Sequence, residues 1–148
     1  MSDPAELGQI LRTARETGDF EPVMGMVPYA ALLGVRMQLE QTGEPLFHLP
    51  PREENIGNTM LPALHGGVIG GLLEHSAILH LMWTRESLAM PKTIDFNIDY
   101  LRSGKLQDTW CRCRVTRQGS RIAHVQVDCW QQDPARPIAV ARAHFLLS

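Results

Sequence analysis

The chain of 148 residues has few cysteines, little net charge and no long apolar run. Its three cysteines are odd in number and lie in segments with strand-like alternation, which favours reduced, half-buried thiols over a disulfide framework. Fourteen basic and sixteen acidic residues give a formal charge of -2, so the chain lacks the positive field that nucleic-acid binding needs. We therefore expect no nucleic-acid partner.

Membrane and secretion signals are also missing from the sequence. The apolar runs fall far short of the ~20 residues that cross a bilayer. The amino terminus is acidic and polar, whereas a signal peptide is basic and then apolar. We expect a cytoplasmic protein with no membrane partner, and 44% hydrophobic residues are enough for one domain with a buried core.

Two helices are predicted near the amino terminus. The first begins at Asp3-Pro4, where an aspartate caps the helix and a proline occupies the first turn, and it ends at Gly18. The second begins at Pro28 and ends at Gly34. We expect residues 1–25 to form a helical extension and residues 26–148 to form the main domain.

One long helix and six strands are predicted for the main domain. The helix covers about residues 65–85 and is apolar nearly all round. The strands alternate apolar and polar residues between turn signals, and they occupy residues 35–41, 46–49, 93–101, 109–117, 122–131 and 138–147. Residues 52–64 are predicted to be a loop.

The order of these elements indicates an α+β fold. Two strands precede the long helix, and four follow it in the manner of an antiparallel meander. A helix that is apolar on most sides must be wrapped by a curved sheet, because a flat sheet would cover only one side. This arrangement is a hotdog fold.

One segment carries the clearest functional signal. It runs from Asn58 to Glu74 and reads NTMLPALHGGVIGGLLE, with His65-Gly66-Gly67 at the start of the long helix. It resembles the signature of the PaaI-like acyl-CoA thioesterases of the hotdog superfamily. Segments 28–34 and 93–103 also resemble that family, and the resemblance covers roughly residues 26–148. It implies hydrolysis of an acyl- or aryl-acyl-CoA thioester, with no cofactor and no metal.

Gly66 and Gly67 open the long helix. The first N–H groups of a helix have no intrahelical partner, and the macrodipole is positive there. A glycine also lets a carbonyl approach the backbone closely. The Gly66 amide can therefore polarise a thioester carbonyl and stabilise the oxyanion that forms on attack, with Gly67 beside the substrate.

Glu74 is the candidate reactive group. It lies among Leu72, Leu73 and Ala77 on a helix built for burial, where an unpaired carboxylate is costly. The carboxylate can attack the acyl carbon as a nucleophile or activate water as a general base, and the sequence leaves both roles open. The family resemblance implies aspartate at this position in most PaaI-like members. The related 4-hydroxybenzoyl-CoA thioesterases are similar to this chain in having glutamate.

The spacing of Gly66 and Glu74 predicts a site shared by two subunits. Along one helix the two residues are about 12 Å apart at ~1.5 Å per residue. The attacking and polarising groups must both come within ~3 Å of the same few atoms. An antiparallel helix from a second subunit would bring its Glu74 beside Gly66, and symmetry would make two such sites. We expect a homodimer, and an assembly of two such dimers.

Asn58, His65 and Thr93 are further candidates for the catalytic site. Asn58, or else Asn55, can orient the nucleophile or the water through its amide. His65 can shape the thioester pocket or cap the helix. The family resemblance implies a hydroxyl at Thr93 that holds water or the carboxylate. Strand alternation puts Thr93 on the outer face with Asp95, so this role requires a bulge.

Three arginines are the candidates for binding the phosphates of coenzyme A. The family resemblance implies that these phosphates lie near strand ends and turns. Arg102 follows a predicted strand, and Arg117 and Arg121 flank the Gly119-Ser120 turn. Guanidinium groups match phosphate oxygens in charge and geometry.

Two other functions compete with thioester hydrolysis. A hotdog hydratase or dehydratase would use His65 as its base, although the Asp-x-x-x-x-His motif of such enzymes is absent. A noncatalytic acyl-CoA-binding protein would hold the same ligand without turnover. A zinc site on the long helix is disfavoured, because the spacing of His75 and His80 puts them on different helical faces.

Overall fold

A six-stranded antiparallel sheet wraps around one long helix in the computed structural model, which describes residues 3–86 and 89–147. The helices and strands follow one another along the chain as α1 (Pro4–Thr17), α2 (Glu21–Met24), α3 (Pro28–Leu33), β1 (Arg36–Leu39), β2 (Pro45–Leu49), β3 (Ile56–Asn58), β4 (Ala63–Leu64), α4 (Gly66–Arg85), β5 (Lys92–Tyr100), β6 (Thr109–Gln118), β7 (Ile122–Trp130) and β8 (Ala139–Leu146). This is the predicted α+β hotdog fold.

The strand order in the sheet is β1-β2-β6-β7-β8-β5. Strands β6, β7 and β8 form the expected meander. Strand β5 departs from it, because it pairs with β8 at the edge of the sheet and not with β6. The predicted meander of four strands is therefore wrong in its first member. Residues 101–108 carry the chain back across the sheet, so that β6 pairs with β2 and β7.

Residues 52–64 contain more regular structure than the predicted loop. A 3-10 turn at Glu53–Asn55 leads into β3, which pairs with β4. The buried Asn55 amide donates a hydrogen bond to the Leu33 carbonyl at 3.0 Å and ties this segment to the end of α3. Strands of two and three residues are too short to show alternation, which is why the sequence did not predict them.

The core lies between α4 and the face of the sheet that it covers. Its largest fully buried side chains come from both layers and include Phe47, Leu49, Leu72, Leu73, Leu79, Leu81, Met82 and Phe145. The three cysteines are free, and they are buried where half-burial was expected. Burial raises the pKa values of the Cys111 and Cys113 thiols, which keeps them protonated.

Helix α1 packs on the surface of the domain. Its apolar stripe, which contains Leu11 and Ala14, joins the core. The Arg15 guanidinium lies 4.0 Å from the centre of the Trp83 ring and donates a hydrogen bond to the Trp83 carbonyl at the end of α4. The boundary at residue 25 between extension and main domain stays a prediction. Among the helices that the structure describes, none is long and apolar enough to cross a membrane.

Candidate active site

His65 caps the amino-terminal end of α4. Its backbone is extended, with φ of -63° and ψ of 134°, and its Nδ1 accepts a hydrogen bond from the Gly67 N–H at 2.8 Å. The His65 carbonyl accepts from the Val68 N–H at 3.0 Å and from the Ile69 N–H at 3.2 Å. An imidazole that accepts at Nδ1 is neutral and carries its proton on Nε2. The capping role predicted as one option for His65 is therefore present.

The Gly66 N–H is left open by this cap. Within residues 3–86 and 89–147, no group accepts a hydrogen bond from it. The N–H also lies at the positive end of a helix of 20 residues. An unpaired N–H in this position is a donor for a carbonyl oxygen that becomes an oxyanion.

Tyr100, the last residue of β5, contacts Gly66, the first residue of α4. Its hydroxyl donates a hydrogen bond to the Gly66 carbonyl at 2.8 Å. A Cβ at Gly66 would lie 3.4 Å from that hydroxyl oxygen, and one at Gly70 would lie 3.7 Å from it. The tyrosine therefore covers two of the helix glycines. Sequence reasoning did not select Tyr100 as a site residue.

Gly57 packs directly against His65. A Cβ at Gly57 would lie 2.6 Å from the His65 Cα and 2.8 Å from its Cβ, distances that real Cβ atoms do not reach. The pairing of Ile56 with Leu64 brings the two residues together. Sequence reasoning missed Gly57 as well, because its importance comes from a contact that forms only in the folded chain.

One stripe of α4 is only partly covered by the rest of the described chain. Between Val68 and Trp83, the positions that are not buried are Gly70, Gly71, Glu74 and Ile78. Gly66 and Gly67 at the helix start continue the same stripe and are also partly or fully exposed. Residues three or four apart share one side of a helix. The ring of Tyr29 from α3 flanks the stripe, because a Cβ at Gly71 would lie 2.9 Å from its Cε1.

Glu74 is the ionisable residue of this stripe. Its side chain is partly buried, and it forms no hydrogen bond or ion pair with any residue that the structure describes. Along the helix it lies about 12 Å from Gly66 at ~1.5 Å per residue. The carboxylate is thus free to react but out of reach of the Gly66 amide of its own chain.

The two asparagine candidates occupy different places. Asn58 is exposed and lines the cleft that also contains Gly66 and Tyr100. Its Oδ1 accepts a hydrogen bond from the Met60 N–H at 2.9 Å in a local turn. Asn55, the other candidate, is buried and bonded to α3. Of the two, only Asn58 lies where a substrate at Gly66 could contact it.

A β-bulge places Thr93 on the inner face of the sheet. Thr93 pairs with Phe145 and Asp95 pairs with His144, so Ile94 is the extra residue between the two pairs. Phe145 is fully buried, and directly opposed residues point to the same side of a sheet. Thr93 therefore lies on the face that α4 covers. The bulge that its candidate role requires is present.

The candidate residues form two groups at opposite ends of β5. The first group lies around Tyr100 and contains Asn58, His65, Gly66, Gly67 and Arg102. Thr93 lies roughly 23 Å from Tyr100 along the strand at ~3.3 Å per residue. Arg121 belongs with Thr93, since its carbonyl accepts from the Leu147 N–H at 2.7 Å just after β8. Arg117 lies at the same end, where its register partner is His124. One chain does not bring the two groups together.

Strand β5 leaves an edge and apolar side chains uncovered. Among the residues that the structure describes, no strand pairs with its free edge. Ile94, Tyr100 and Leu101 expose 53%, 55% and 51% of their surface. Native proteins rarely leave a long edge strand with apolar neighbours open to water.

The histidines of α4 lie on its buried sides. Burial lowers the pKa of His75 to about 4. Burial also lowers the pKa of His80, and the Glu44 carboxylate at 3.7 Å opposes this shift. No set of three or more metal-ligating side chains is found over the described ranges 3–86 and 89–147.

The fold and this helix start together define a thioesterase-like hotdog domain. A family model described as the thioesterase superfamily matches residues 61–138, which span α4 and β5 to β7. The chain belongs to the thioesterase superfamily.

Individual proteins show the same relationship. The crystal structure of a protein from Chromobacterium violaceum is 44% identical, with a TM-score of 0.77, and the match covers 95% of this chain and 97% of that chain. A mutant of the phenylacetic acid degradation protein PaaI from Thermus thermophilus has 16% identity and a TM-score of 0.67, and the match covers 81% and 98% of the two chains. The resemblance to PaaI-like hotdog proteins is confirmed.

A curated relative adds an activity to the comparison. The medium/long-chain acyl-CoA thioesterase YigI of Salmonella typhimurium is 25% identical over 134 residues, which cover 82% of this chain and 86% of that protein.

Proposed function

We propose that the protein is an acyl-CoA thioesterase whose active site is formed by two subunits. The Gly66 N–H of one subunit polarises the thioester carbonyl, and Glu74 of the partner subunit drives the attack. The thioesterase superfamily match and the acyl-CoA thioesterase relative support the reaction class. Contacts within the single chain support the location of the site.

One observation carries the proposal. The Gly66 N–H and the Glu74 carboxylate both lack partners among the described residues, they lie on the same partly exposed stripe of α4, and they are about 12 Å apart. A thioester needs both a carbonyl donor and an attacking group within ~3 Å of the same few atoms, which one chain does not supply at this separation. A two-fold axis that sets two α4 helices antiparallel satisfies both groups and creates two equal sites.

The open edge of β5 supports the same geometry. Pairing of two β5 edges across a two-fold axis is antiparallel, so the Thr93 end of one strand faces the Tyr100 end of the other. This pairing covers the exposed apolar side chains of β5. It also joins the two groups of candidate residues that a single chain keeps apart, with Thr93, Arg117 and Arg121 from one subunit and Gly66, Asn58 and Arg102 from the other.

The reaction then needs only water and the thioester. As a general base, Glu74 takes a proton from water while the water oxygen bonds to the acyl carbon, and the carbonyl oxygen gains the charge that the Gly66 N–H stabilises. The tetrahedral intermediate collapses, the C–S bond breaks, and the thiolate leaves and takes up a proton. As a nucleophile, Glu74 bonds to the acyl carbon itself, the C–S bond breaks and the thiolate leaves and takes up a proton, and water then hydrolyses the resulting mixed anhydride to release the acid and restore Glu74. The Thr93 hydroxyl holds the carboxylate or the water in either case.

The remaining candidates position the substrate. Asn58 contributes an amide at the mouth of the Gly66 cleft, and His65 caps the helix start beside it. Gly67 leaves room beside the carbonyl. We further propose that two dimers associate and that the protein works in the cytoplasm, where CoA thioesters are available.

The test is the release of free thiol from a panel of acyl-CoAs that differ in chain length and include an aryl-acyl-CoA. Wild-type protein is expected to turn over at least one of them, and Glu74→Gln should lower kcat by about 10²–10⁴, the usual contribution of a general base. Glu16→Gln is the matched control, because Glu16 is exposed on α1. An unchanged rate in Glu74→Gln would remove the mechanism.

Other outcomes distinguish the competing functions. Stabilisation of the fold by acyl-CoA without any thiol release would indicate a noncatalytic binding protein. With an enoyl-CoA added to the panel, a product heavier than that substrate by one water, with the thioester intact, would indicate a hydratase, and loss of this product in His65→Gln would assign the base to His65. Mass spectrometry of the products separates these cases from hydrolysis.

A further inference from the structure

A carboxylate and an imidazole lie next to each other beside the bulge in β5. The Asp95 Oδ1 accepts a hydrogen bond from the His144 backbone N–H at 3.1 Å and lies 2.6 Å from the His144 Nδ1. Asp95 belongs to β5 and His144 to β8, and the two are register partners. One carboxylate oxygen therefore joins the edge strand to both the backbone and the side chain of the neighbouring strand. We call Asp95 and His144 the bulge clamp.

The bulge clamp is held on the outer face of the sheet, away from α4. The side-chain hydrogen bond from His144 lowers the pKa of Asp95, so the carboxyl is ionised at neutral pH and its hydrogen bonds are charge-assisted. The His144 ring in turn meets the His124 ring edge-on, with the ring centroids 3.6 Å apart and the planes at 82°. His124 is the partner of His144 on β7. The clamp is therefore supported by a third strand.

The bulge exchanges the faces of Thr93 and Ile94. Further along β5, Phe96 lies on the inner face, since its partner Ala143 is buried. Regular alternation from Phe96 would send Ile94 inward and Thr93 outward. The extra residue reverses this order, because Thr93 is the partner of the buried Phe145, and Ile94 is left exposed. The place of the Thr93 hydroxyl thus depends on the bulge.

Two effects oppose each other at this point of the strand. A regular register would turn the exposed Ile94 side chain inward, which the hydrophobic effect favours. In a regular ladder, backbone carbonyls of the facing strand accept the N–H groups, whereas at a bulge the ladder is locally disrupted. The Asp95 carboxylate supplies an acceptor for the His144 N–H at the bulge. Its hydrogen bonds therefore favour the bulged register.

We propose that Asp95 and His144 are positioning residues of the active site: the bulge clamp keeps β5 in the bulged register and so keeps the Thr93 hydroxyl on the inner face, where it serves Glu74 or the attacking water. This inference rests on the proposed function. Both clamp side chains lie on the outer face, so neither touches the substrate. The clamp acts on the reaction through Thr93.

The experiment compares single and double variants at Asp95 and Thr93. Asp95→Ala removes the clamp and is expected to lower kcat about ten- to a hundredfold with KM unchanged, the scale of one hydrogen bond to a charged group. Thr93→Val removes the hydroxyl and should lower kcat at least as much. The double variant should be no slower than Thr93→Val, because residues that act through one group are not additive. Losses that multiply in the double variant would overturn the proposal.

Two further substitutions separate the hydrogen-bond acceptor from the charge of the strand. Asp95→Asn retains an Oδ1 acceptor, so its kcat should stay within about threefold of the wild type. Asp99→Ala is the matched control, because Asp99 is also an exposed carboxylate of β5 and pairs with Arg142 of β8 at 3.4 Å. It should leave kcat unchanged. A loss in Asp95→Asn or in Asp99→Ala as large as that in Asp95→Ala would overturn the proposal.

A structural readout separates this proposal from the proposed reaction. Cross-strand nuclear Overhauser contacts report which residue of β5 faces Phe145. We expect Thr93 in the wild type and Ile94 in Asp95→Ala. His144→Ala, which keeps the backbone N–H and loses the imidazole, provides the same readout and kinetics where Asp95→Ala does not fold.

The two measurements together decide between the outcomes. A shifted register in Asp95→Ala without a loss of kcat would overturn the positioning role. A shifted register together with absence of thiol release from the wild type would refute hydrolysis and retain the hold of the clamp on the bulge. Normal hydrolysis together with an unchanged register in Asp95→Ala would refute the clamp and retain hydrolysis.

Discussion

The Tyr100 hydroxyl donates a hydrogen bond to the Gly66 carbonyl at 2.8 Å and joins the edge strand β5 to the first residue of α4. The two elements that a second subunit would cover are therefore linked to each other. A movement of β5 would therefore be passed to the helix start, where the proposed oxyanion donor lies.

Removal of the Tyr100 hydroxyl should lower turnover without disrupting the fold. In Tyr100→Phe the ring still covers Gly66 and Gly70, but the bond to the Gly66 carbonyl is lost. A neutral hydrogen bond contributes ~0.5–1.5 kcal/mol, so we expect kcat to fall about three- to tenfold with little change in KM. Kinetics at a verified, constant dimer content provide the check. A rise in KM alone would show that the hydroxyl contacts substrate and does not position the helix.

The Gly66 N–H can be deleted with one substitution. Proline is favoured at the first position of a helix and lacks an N–H, and the extended backbone of His65 is compatible with a following proline. We expect Gly66→Pro to lower kcat by about 10²–10³, the effect of losing one oxyanion donor. Gly66→Ala keeps the N–H and adds a Cβ 3.4 Å from the Tyr100 hydroxyl, so it should remain active. Equal losses in both variants would point to packing as the cause.

The buried imidazole of His75 makes stability depend on pH. Its pKa is about 4 in the folded protein and 6.5 in the unfolded chain, so the unfolded state binds more protons between these values. The free energy of unfolding should be highest above pH 6.5 and should fall by about 3 kcal/mol as the pH drops toward 4. His75→Leu should flatten this slope in urea titrations across that range, with a smaller slope remaining from His80. A variant with the wild-type slope would contradict the assignment.

Helix α1 should stabilise the end of α4 through Arg15. Its guanidinium lies over the Trp83 ring and bonds to the Trp83 carbonyl. Arg15→Ala is expected to lower the free energy of unfolding by about 1 kcal/mol. Arg12→Ala on the same helix is the control, since the side-chain hydrogen bond of Arg12 goes to Gln9 within α1. Equal effects of the two substitutions would show that α1 gains nothing specific from this contact.

The sequence predicted the local structure of this fold better than its long-range pairing. The central helix was predicted because it is apolar nearly all round, and β5 because of its alternation. The pairing of β5 with β8 depends on where α4 delivers the chain, and no local pattern encodes that. The two-stranded ribbon of β3 and β4 was not predicted, because each of its strands is too short to show an alternating pattern.

The candidate site also contains residues that local sequence patterns selected and residues whose place depends on the folded chain. His65, Gly66 and Glu74 were selected as candidates from the resemblance of segment 58–74 to a family signature and from residue type and helical spacing, all of which are local properties of the sequence. The inward position of Thr93 depends on a bulge at Ile94, which changes the face without changing the composition. Tyr100 and Gly57 were missed because their importance comes from contacts across elements.

Subunit complementation tests the shared site most directly. Gly66→Pro and Glu74→Gln chains, each with a different affinity tag, are co-expressed, and the mixed dimer is purified through both tags. A site built from two subunits leaves one of the two sites of the mixed dimer intact, so the account predicts about half of the wild-type kcat per dimer. A mixed dimer as inactive as either parent would contradict the account, because it would show that each chain needs its own Gly66 and its own Glu74.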